Sequence, residues 1–210
     1  MTKISSLIDG YKKFYSENYV PNREHFKQLA TEGQFPKTLV VSCSDSRVDP
    51  STIMNTSPGD IFVVRNVANL VPPYQPDHKT YHGTSAAIEF AVMQLKVEHI
   101  IVMGHSGCGG IQALVENDDT IKQEFSFITG WINIAKDAKV RALDMCQHSN
   151  ADKYSTCEKE GIITSVNNLM TFPYIKQAVI EENLDVNGWY FSISDGKIHI
   201  LDDNNSFKEI

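Results

Sequence analysis

Beyond Pro36 the chain alternates short apolar runs with stretches of helical periodicity, and this alternation restricts it to βαβ units around a largely parallel sheet. Residues 38–42 read as a first buried strand, 60–64 as a second and 99–103 as a third. Pro72, Pro73 and Pro76 exclude a central strand between the second and third. A helix follows at 84–95, with Ala87, Ile88, Ala91, Val92 and Leu95 inward. Another opens at 109–116, 121–150 is helical with weak punctuation, and a helix at 157–170 ends at Phe172-Pro173. Pro173 suits the first turn of one more, reaching to about residue 182. Asn187-Gly188 reads as a turn, after which Trp189, Phe191 and Ile193 alternate with Tyr190, Ser192 and Ser194 as a strand. Asp195-Gly196 is a two-residue hairpin signal into a strand at 197–201, expected antiparallel at an edge. The expected fold is α/β: a mainly parallel four-stranded sheet in the order 2-1-3-4, an antiparallel edge strand, flanking helices and an N-terminal helical arm.

The first 33 residues differ in character. Ile4, Leu7, Ile8, Tyr11, Phe14 and Tyr15 recur at helical spacing, and Pro21 interrupts. Asn22 is placed to cap a second helix carrying Phe26, Leu29 and Ala30 on one face, with Gly33 as its stop. Such short amphipathic helices must bury that face on their own core or on a partner subunit. The chain therefore reads as an arm at 1–33 and an α/β domain at 34–210, a single domain overall. With 19 Lys+Arg against 26 Asp+Glu it lacks the positive field that nucleic-acid binding requires. No apolar run approaches the roughly 20 residues of a bilayer span, and the start lacks a signal-peptide core, so the expected compartment is the cytoplasm, without a membrane partner.

Four cysteines in a reducing compartment point to metal binding or catalysis. Cys43 directly follows the first strand, and His105-Ser106-Gly107-Cys108 directly follows the third. In an open α/β sheet the crevice beyond the carboxyl ends of the strands is the default ligand site. The order 2-1-3-4 makes these two strands neighbours, so two thiolates and one imidazole converge as a Cys₂His zinc set with room for a fourth ligand. Gly107 and its neighbouring glycines give the His-x-x-Cys turn its backbone freedom, and Cys108 at a helix start gains thiolate stabilisation from the amide dipoles. Cys146 and Cys157 have no partner at metal spacing and read as inert thiols. Asp45, two residues past Cys43, can bind the metal or accept a hydrogen bond from metal-bound water, and Arg47 can hold it ionised as a bidentate pair.

Cys43-Ser44-Asp45-Ser46-Arg47-Val48, Pro58-Gly59-Asp60 with Val64-Arg65-Asn66-Val67-Ala68-Asn69, and Gly104-His105-Ser106-Gly107-Cys108-Gly109-Gly110 resemble the three signature segments of the β-class carbonic anhydrases. The resemblance continues weakly through Cys157-Glu158-Lys159-Glu160 and from Asn168 to Pro173. It implies one zinc per subunit on Cys43, His105 and Cys108, with Asp45 and Arg47 as catalytic dyad. It also implies a homodimer embraced by the N-terminal helices, with tetramers or octamers common. Val40 stands where the branch closed by aspartate carries tryptophan, so the plant-like, open-site branch is favoured. Gln34 matches a glutamine that reaches across the dimer interface, and Phe62 and Val67 match apolar pocket residues, while Phe90 departs from a tyrosine frequent in plant-like members.

The expected reaction is reversible hydration of carbon dioxide to bicarbonate and a proton by attack of zinc-bound hydroxide. Gln34 would donate to a substrate oxygen; Phe62 and Val67 suit a small apolar gas, though sheet core explains them equally. His78, Tyr81 and His82, on the loop before the helix, read as solvated and stay outside the catalytic set. A hydrolase acting on carbon disulfide or carbonyl sulfide would use the same nucleophile. A closed structural zinc site would need a fourth strong ligand, a thiol oxidoreductase a Cys-x-x-Cys, and a dinucleotide site a G-x-G-x-x-G, none of which stands at suitable spacing here.

Overall fold

The computed structural model describes residues 4–76, 81–116, 126–147 and 149–210. The chain divides into two compact units, residues 1–35 and 36–210. In the first, α1 (Ile4–Phe14) runs on through a π-helical turn at Tyr15–Tyr19, and α2 (Arg23–Glu32) follows. Asn22 precedes α2 as expected but does not cap it: its amide donates instead to the Asn18 carbonyl. Gly33 terminates α2 at φ 89°, a conformation that favours glycine. Tyr15 stacks on Tyr19 at 5.2 Å and Tyr19 lies 5.0 Å from Phe26, whereas Ile4, Leu7, Ile8 and Tyr11 stay exposed along α1.

The second unit is built on a six-stranded sheet ordered β2-β1-β3-β4-β5-β6. Its strands are β1 (Thr38–Cys43), β2 (Ile61–Asn66), β3 (His99–His105), β4 (Asp185–Ser192), β5 (Lys197–Leu201) and β6 (Phe207–Glu209). The first four pair in parallel and the last two antiparallel. The 2-1-3-4 order is as expected; β6 adds a strand beyond β5, which is therefore not the edge. Buried on both faces, β1 and β3 read as continuous apolar runs. Alternate residues feed opposite cores: Leu39, Val41, Ile100 and Val102 pack with Ile88, Ile162 and Ile175, and Val40, Ile101 and Met103 with Trp189 on the other side.

The connecting helices are α3 (Pro50–Ile53), α4 (Gly83–Glu89), α5 (Gly109–Glu116), α6 (Ser126–Ile132), α7 (Lys136–Gln147), α8 (Lys153–Leu169) and α9 (Pro173–Ile180). The helix expected at 84–95 is α4 continued by a π-helical turn at Phe90–Leu95. Of the helical stretch expected at 121–150, residues 121–125 and 148 lie outside the described residues. α8 starts four residues before Cys157, because the Asp152 side chain caps it through the Ser155 amide. None of the helices among the described residues is long and apolar enough to cross a membrane.

Two turns differ from expectation. Asn187 and Gly188 lie inside β4, Gly188 opposite Val102. Glycine serves close packing there rather than a turn: an added Cβ would stand 2.9 Å from Ile162 and 3.0 Å from Leu201. The β4–β5 connection spans residues 193–196, since Ser192 pairs with Lys197, with Gly196 at φ 73°. Ile162, fully buried, also meets Gly104, where a Cβ would lie 2.7 Å from it, so one α8 side chain fills the space vacated by two strand glycines. Ile162→Ala is therefore expected to cost about 2–4 kcal/mol in urea unfolding, more than an average surface substitution by an order of magnitude.

Candidate metal centre

β1 and β3 pair in parallel from Thr38↔His99 to Ser42↔Met103, which brings their carboxyl ends side by side. Cys43 closes β1, His105 closes β3, and Cys108 precedes the first residue of α5. The three ligand atoms lie within 4.8 Å of one another, all buried, and the two sulfurs are 4.0 Å apart. Two sulfurs bound to one tetrahedral zinc at about 2.3 Å stand roughly 3.8 Å apart, so the spacing fits a shared ion. His105 Nδ1 faces the Ser106 carbonyl at 3.0 Å and donates to it, which leaves Nε2 as the atom free to ligate; Nε2 is buried with no hydrogen-bond partner among the described residues. An orphaned imidazole nitrogen between two thiols is what a borderline metal such as zinc satisfies.

The surrounding backbone supports thiolate charge. The backbone amides of Asp45 and Ala68 favour the charged form of Cys43, and those of Gly110 and Ile111, at the start of α5, that of Cys108. The two thiols titrate as a pair: the hydrogen bond from Cys108 pulls Cys43 well below an ordinary thiol, while that same bond and burial push Cys108 up. Burial alone would lower His105, but the adjacent Cys43 sulfur and the Ser106 carbonyl outweigh it and the imidazole pKa is raised. Ala68 sits at φ 65° and Asn69 at φ 49°, held there by Asn66, whose side chain spans the turn by bonding both the amide and the carbonyl of Leu70.

Asp45 and Arg47 form the bidentate pair expected of them. Arg47 Nε donates to Asp45 Oδ1 at 2.9 Å and Nη2 to Oδ2 at 2.7 Å, with the Arg47 amide adding a third bond at 2.9 Å. Arg47 Nη2 also reaches the Gly107 carbonyl at 2.9 Å, which ties the pair to the ligand turn. Asp45 Oδ2 stands 3.9 Å from His105 Nε2. The Arg47 guanidinium holds the Asp45 carboxyl well below the usual carboxylate range, so it is ionised and only accepts hydrogen bonds.

The remaining candidates divide. Val67, partly exposed, lies against the start of α5: a Cβ on Gly110 would meet it at 2.6 Å, and Trp131 Nε1 donates to its carbonyl at 2.7 Å. Phe62 pairs with Leu39, four residues before the Asn66 that adjoins Cys43, and packs against Phe90 at 5.8 Å and the sheet core. Gln34 belongs to the N-terminal unit, exposed past the end of α2. Cys157 is buried, its thiol pushed up to about 12 by burial, and it does not join the ligand cluster. Of the loop residues, His78 lies outside the described residues and Tyr81 is fully exposed.

Three residues with no role in the sequence reading build the site. Arg65 donates to the carbonyls of Cys43 at 2.9 Å, Asp45 at 2.7 Å and Val48 at 3.1 Å, shaping the loop that carries the dyad. Glu158 accepts from the Cys108 amide at 2.9 Å and from the Tyr190 hydroxyl at 3.0 Å. The available signal for Glu158 was its register: Ile162, Ser165 and Leu169, at i+4, i+7 and i+11, are all buried on the same face of α8.

A carbonic anhydrase family profile matches residues 38–198. The solved structure of the β-carbonic anhydrase CcaA matches with a TM-score of 0.91 and 32% identity over 100% of both chains. The chain belongs to the β-class carbonic anhydrases. Beta carbonic anhydrase 6, mitochondrial, of Arabidopsis thaliana is 42% identical over 193 residues, 91% of this chain and 65% of that relative, so the chain spans just under two thirds of the plant protein. That similarity is consistent with the plant-like branch. Structures of two tetrameric β-carbonic anhydrases from Sordaria macrospora are represented by a match with a TM-score of 0.81 at 30% identity, over 94% of this chain and 95% of that one.

Because the pKa of Asp45 is lowered on folding, its contribution to stability is complete above the ordinary carboxylate value of about 4 and is lost as pH falls through the lower folded value. The stability difference between the parent chain and Asp45→Asn, from urea unfolding at each pH, should be level between roughly pH 7 and pH 5 and narrow below about pH 4. Its plateau should be small, about 1 kcal/mol, because Arg47 is half exposed and solvent screens the pair.

Proposed function

We propose that this chain catalyses the reversible hydration of carbon dioxide to bicarbonate and a proton, with one zinc ion per subunit on Cys43, His105 and Cys108. The observation that carries the reading is the unpartnered, buried His105 Nε2 between two sulfurs, with an ionised Asp45 oxygen 3.9 Å away. Held by these three ligands, zinc would act as a Lewis acid that lowers the pKa of a coordinated water to about 7 and so supply a nucleophile at neutral pH. Asp45, ionised and an acceptor only, would accept a hydrogen bond from the attacking oxygen and so orient a lone pair of that oxygen toward the carbon. Arg47 keeps Asp45 ionised and, through the Gly107 carbonyl, in fixed relation to the ligand turn.

Val67 offers the apolar gas a wall beside Cys108. Gln34 donates to a substrate oxygen from the partner subunit. Phe62, four residues before the Asn66 that pairs with Cys43, and the exposed Phe90 tilted against it add apolar surface to a pocket that a second copy completes. The working unit is then a homodimer assembled through the exposed stripe of α1, with further assembly to a tetramer or octamer. Four free thiols accord with a reducing compartment, the cytoplasm or an organelle matrix.

Stopped-flow carbon dioxide hydration with parallel zinc analysis tests the reading. Cys108→Ser should lose both zinc and activity, whereas Asp45→Ala should keep zinc and fall by about 10²-fold or more in kcat. A parent chain fully loaded with zinc and inactive at every pH would overturn it. For the assembly, Leu7→Glu with Tyr11→Glu should move the sedimentation coefficient to that of a smaller species.

A further inference from the structure

We propose that Glu158, held in turn by Tyr190, is a positioning residue for Cys108: its carboxylate sets where the Cys108 backbone stands, and with it the sulfur. The inference rests on the zinc reading of the Cys43, His105 and Cys108 cluster and adds a residue to which that reading gives no role. Glu158 is 4% exposed. A carboxylate that deep costs several kcal/mol unless its oxygens are bonded, and both are: Oε1 accepts the Cys108 amide and Oε2 the Tyr190 hydroxyl.

The ligand turn is fastened from several sides, and the Glu158 bond is the one that falls on the residue bearing the sulfur. From β4 the Phe191 carbonyl accepts the Ser106 amide at 3.0 Å, and just past the strand the Ile193 amide donates to Ser106 Oγ at 2.9 Å. From the dyad, Arg47 bonds the Gly107 carbonyl. Cys108 itself stands at the head of α5, where the helix leaves its first amides without intrahelical acceptors. The amides of Gly110 and Ile111 favour charge on the Cys108 sulfur, while the amide of Cys108 itself donates to Glu158. That division of donors fixes the peptide plane before Cys108, and so the direction of its Cα–Cβ bond. Arg65 does the corresponding work on the Cys43 carbonyl.

The anchor is rigid in its own right. Tyr190 is buried in β4 and packs edge-on to His199 and Phe207, with the Lys159 ammonium 5.0 Å from its ring centre. Ile162 against Gly104 and Gly188, and Gly161 with space for a Cβ only 3.3 Å from Ile111, keep α8 close enough for a glutamate to reach the turn. Groups that fasten metal ligands in this way commonly change metal affinity by 10–100-fold when removed.

The test compares Glu158→Met, Glu158→Gln and Tyr190→Phe with the parent chain by two measurements: zinc affinity in competition with a chelator, and the sulfur-to-cobalt charge-transfer spectrum after cobalt(II) substitution. Methionine fills the volume and removes the acceptor; glutamine keeps an acceptor for the Cys108 amide. Expected are a loss of zinc affinity of about 10-fold or more in Glu158→Met with a shifted cobalt spectrum, a smaller loss in Tyr190→Phe, and rescue to within about threefold in Glu158→Gln. Parent-like affinity and spectrum in a folded Glu158→Met, or an equal loss in Glu158→Gln, would overturn the proposal. Should Glu158→Met not fold, Tyr190→Phe decides: a loss of several-fold supports it and parent values overturn it. A parent chain that takes up neither metal would instead remove the zinc reading itself.

Discussion

Everything at the candidate site depends on the parallel pairing of β1 with β3. Cys43 and Cys108 are 65 residues apart in sequence, yet the register from Thr38↔His99 to Ser42↔Met103 ends both strands at the same level of the sheet. A parallel ladder cannot slip by one residue without turning every buried side chain to the opposite face. Here Leu39, Val41, Ile100 and Val102 feed one core and Val40, Ile101 and Met103 the other, so packing on both faces locks the register. The sulfurs and the imidazole are therefore brought together by hydrophobic burial some distance from them, before any metal contributes.

Charge is concentrated at this end of the sheet, and nearly every charge is answered. Backbone amides favour charge on both cysteines; Asp45 has Arg47, Arg65 has three carbonyls and Asp49, and Glu158 has an amide and a hydroxyl. Ionised groups taken out of water without partners would destabilise the fold by several kcal/mol each. The exception among the ligating and charged groups is His105 Nε2, which has no hydrogen-bond partner among the described residues. Its open lone pair, beside two thiols, suits a metal ion.

The alternation of apolar runs and helices was enough to assign the βαβ class, because burial of a parallel strand on both faces leaves a short unbroken apolar run; the order 2-1-3-4, which the structure has, was an expectation that this pattern alone does not fix. The same local reading failed where a residue's role is set by a distant neighbour. Asn187-Gly188 has the composition of a turn, but Gly188 is a strand residue whose missing Cβ makes room for Ile162 and Leu201. Asn22 has the side chain of a cap and spends it on Asn18. β6 is three residues long with one partly buried side chain, too little pattern to register.

For the site, the sequence by itself determined which atoms could bind a metal and which carboxylate and guanidinium would pair, because the Cys43 to Arg47 segment and the His105 to Cys108 turn each place their groups within a few bonds of one another. What only the tertiary structure decided is what holds those groups in place. In sequence Glu158 belongs to a charged run, Glu158-Lys159-Glu160. Folding packs that face of α8 on the glycines of β3 and β4, which carries the carboxylate to an amide 50 residues away in the chain. The helical period places Glu158 on the face of Ile162 and Leu169 and so marks it as inward, but which backbone amide its carboxylate meets comes from shape complementarity between separate elements, and no local pattern encodes that.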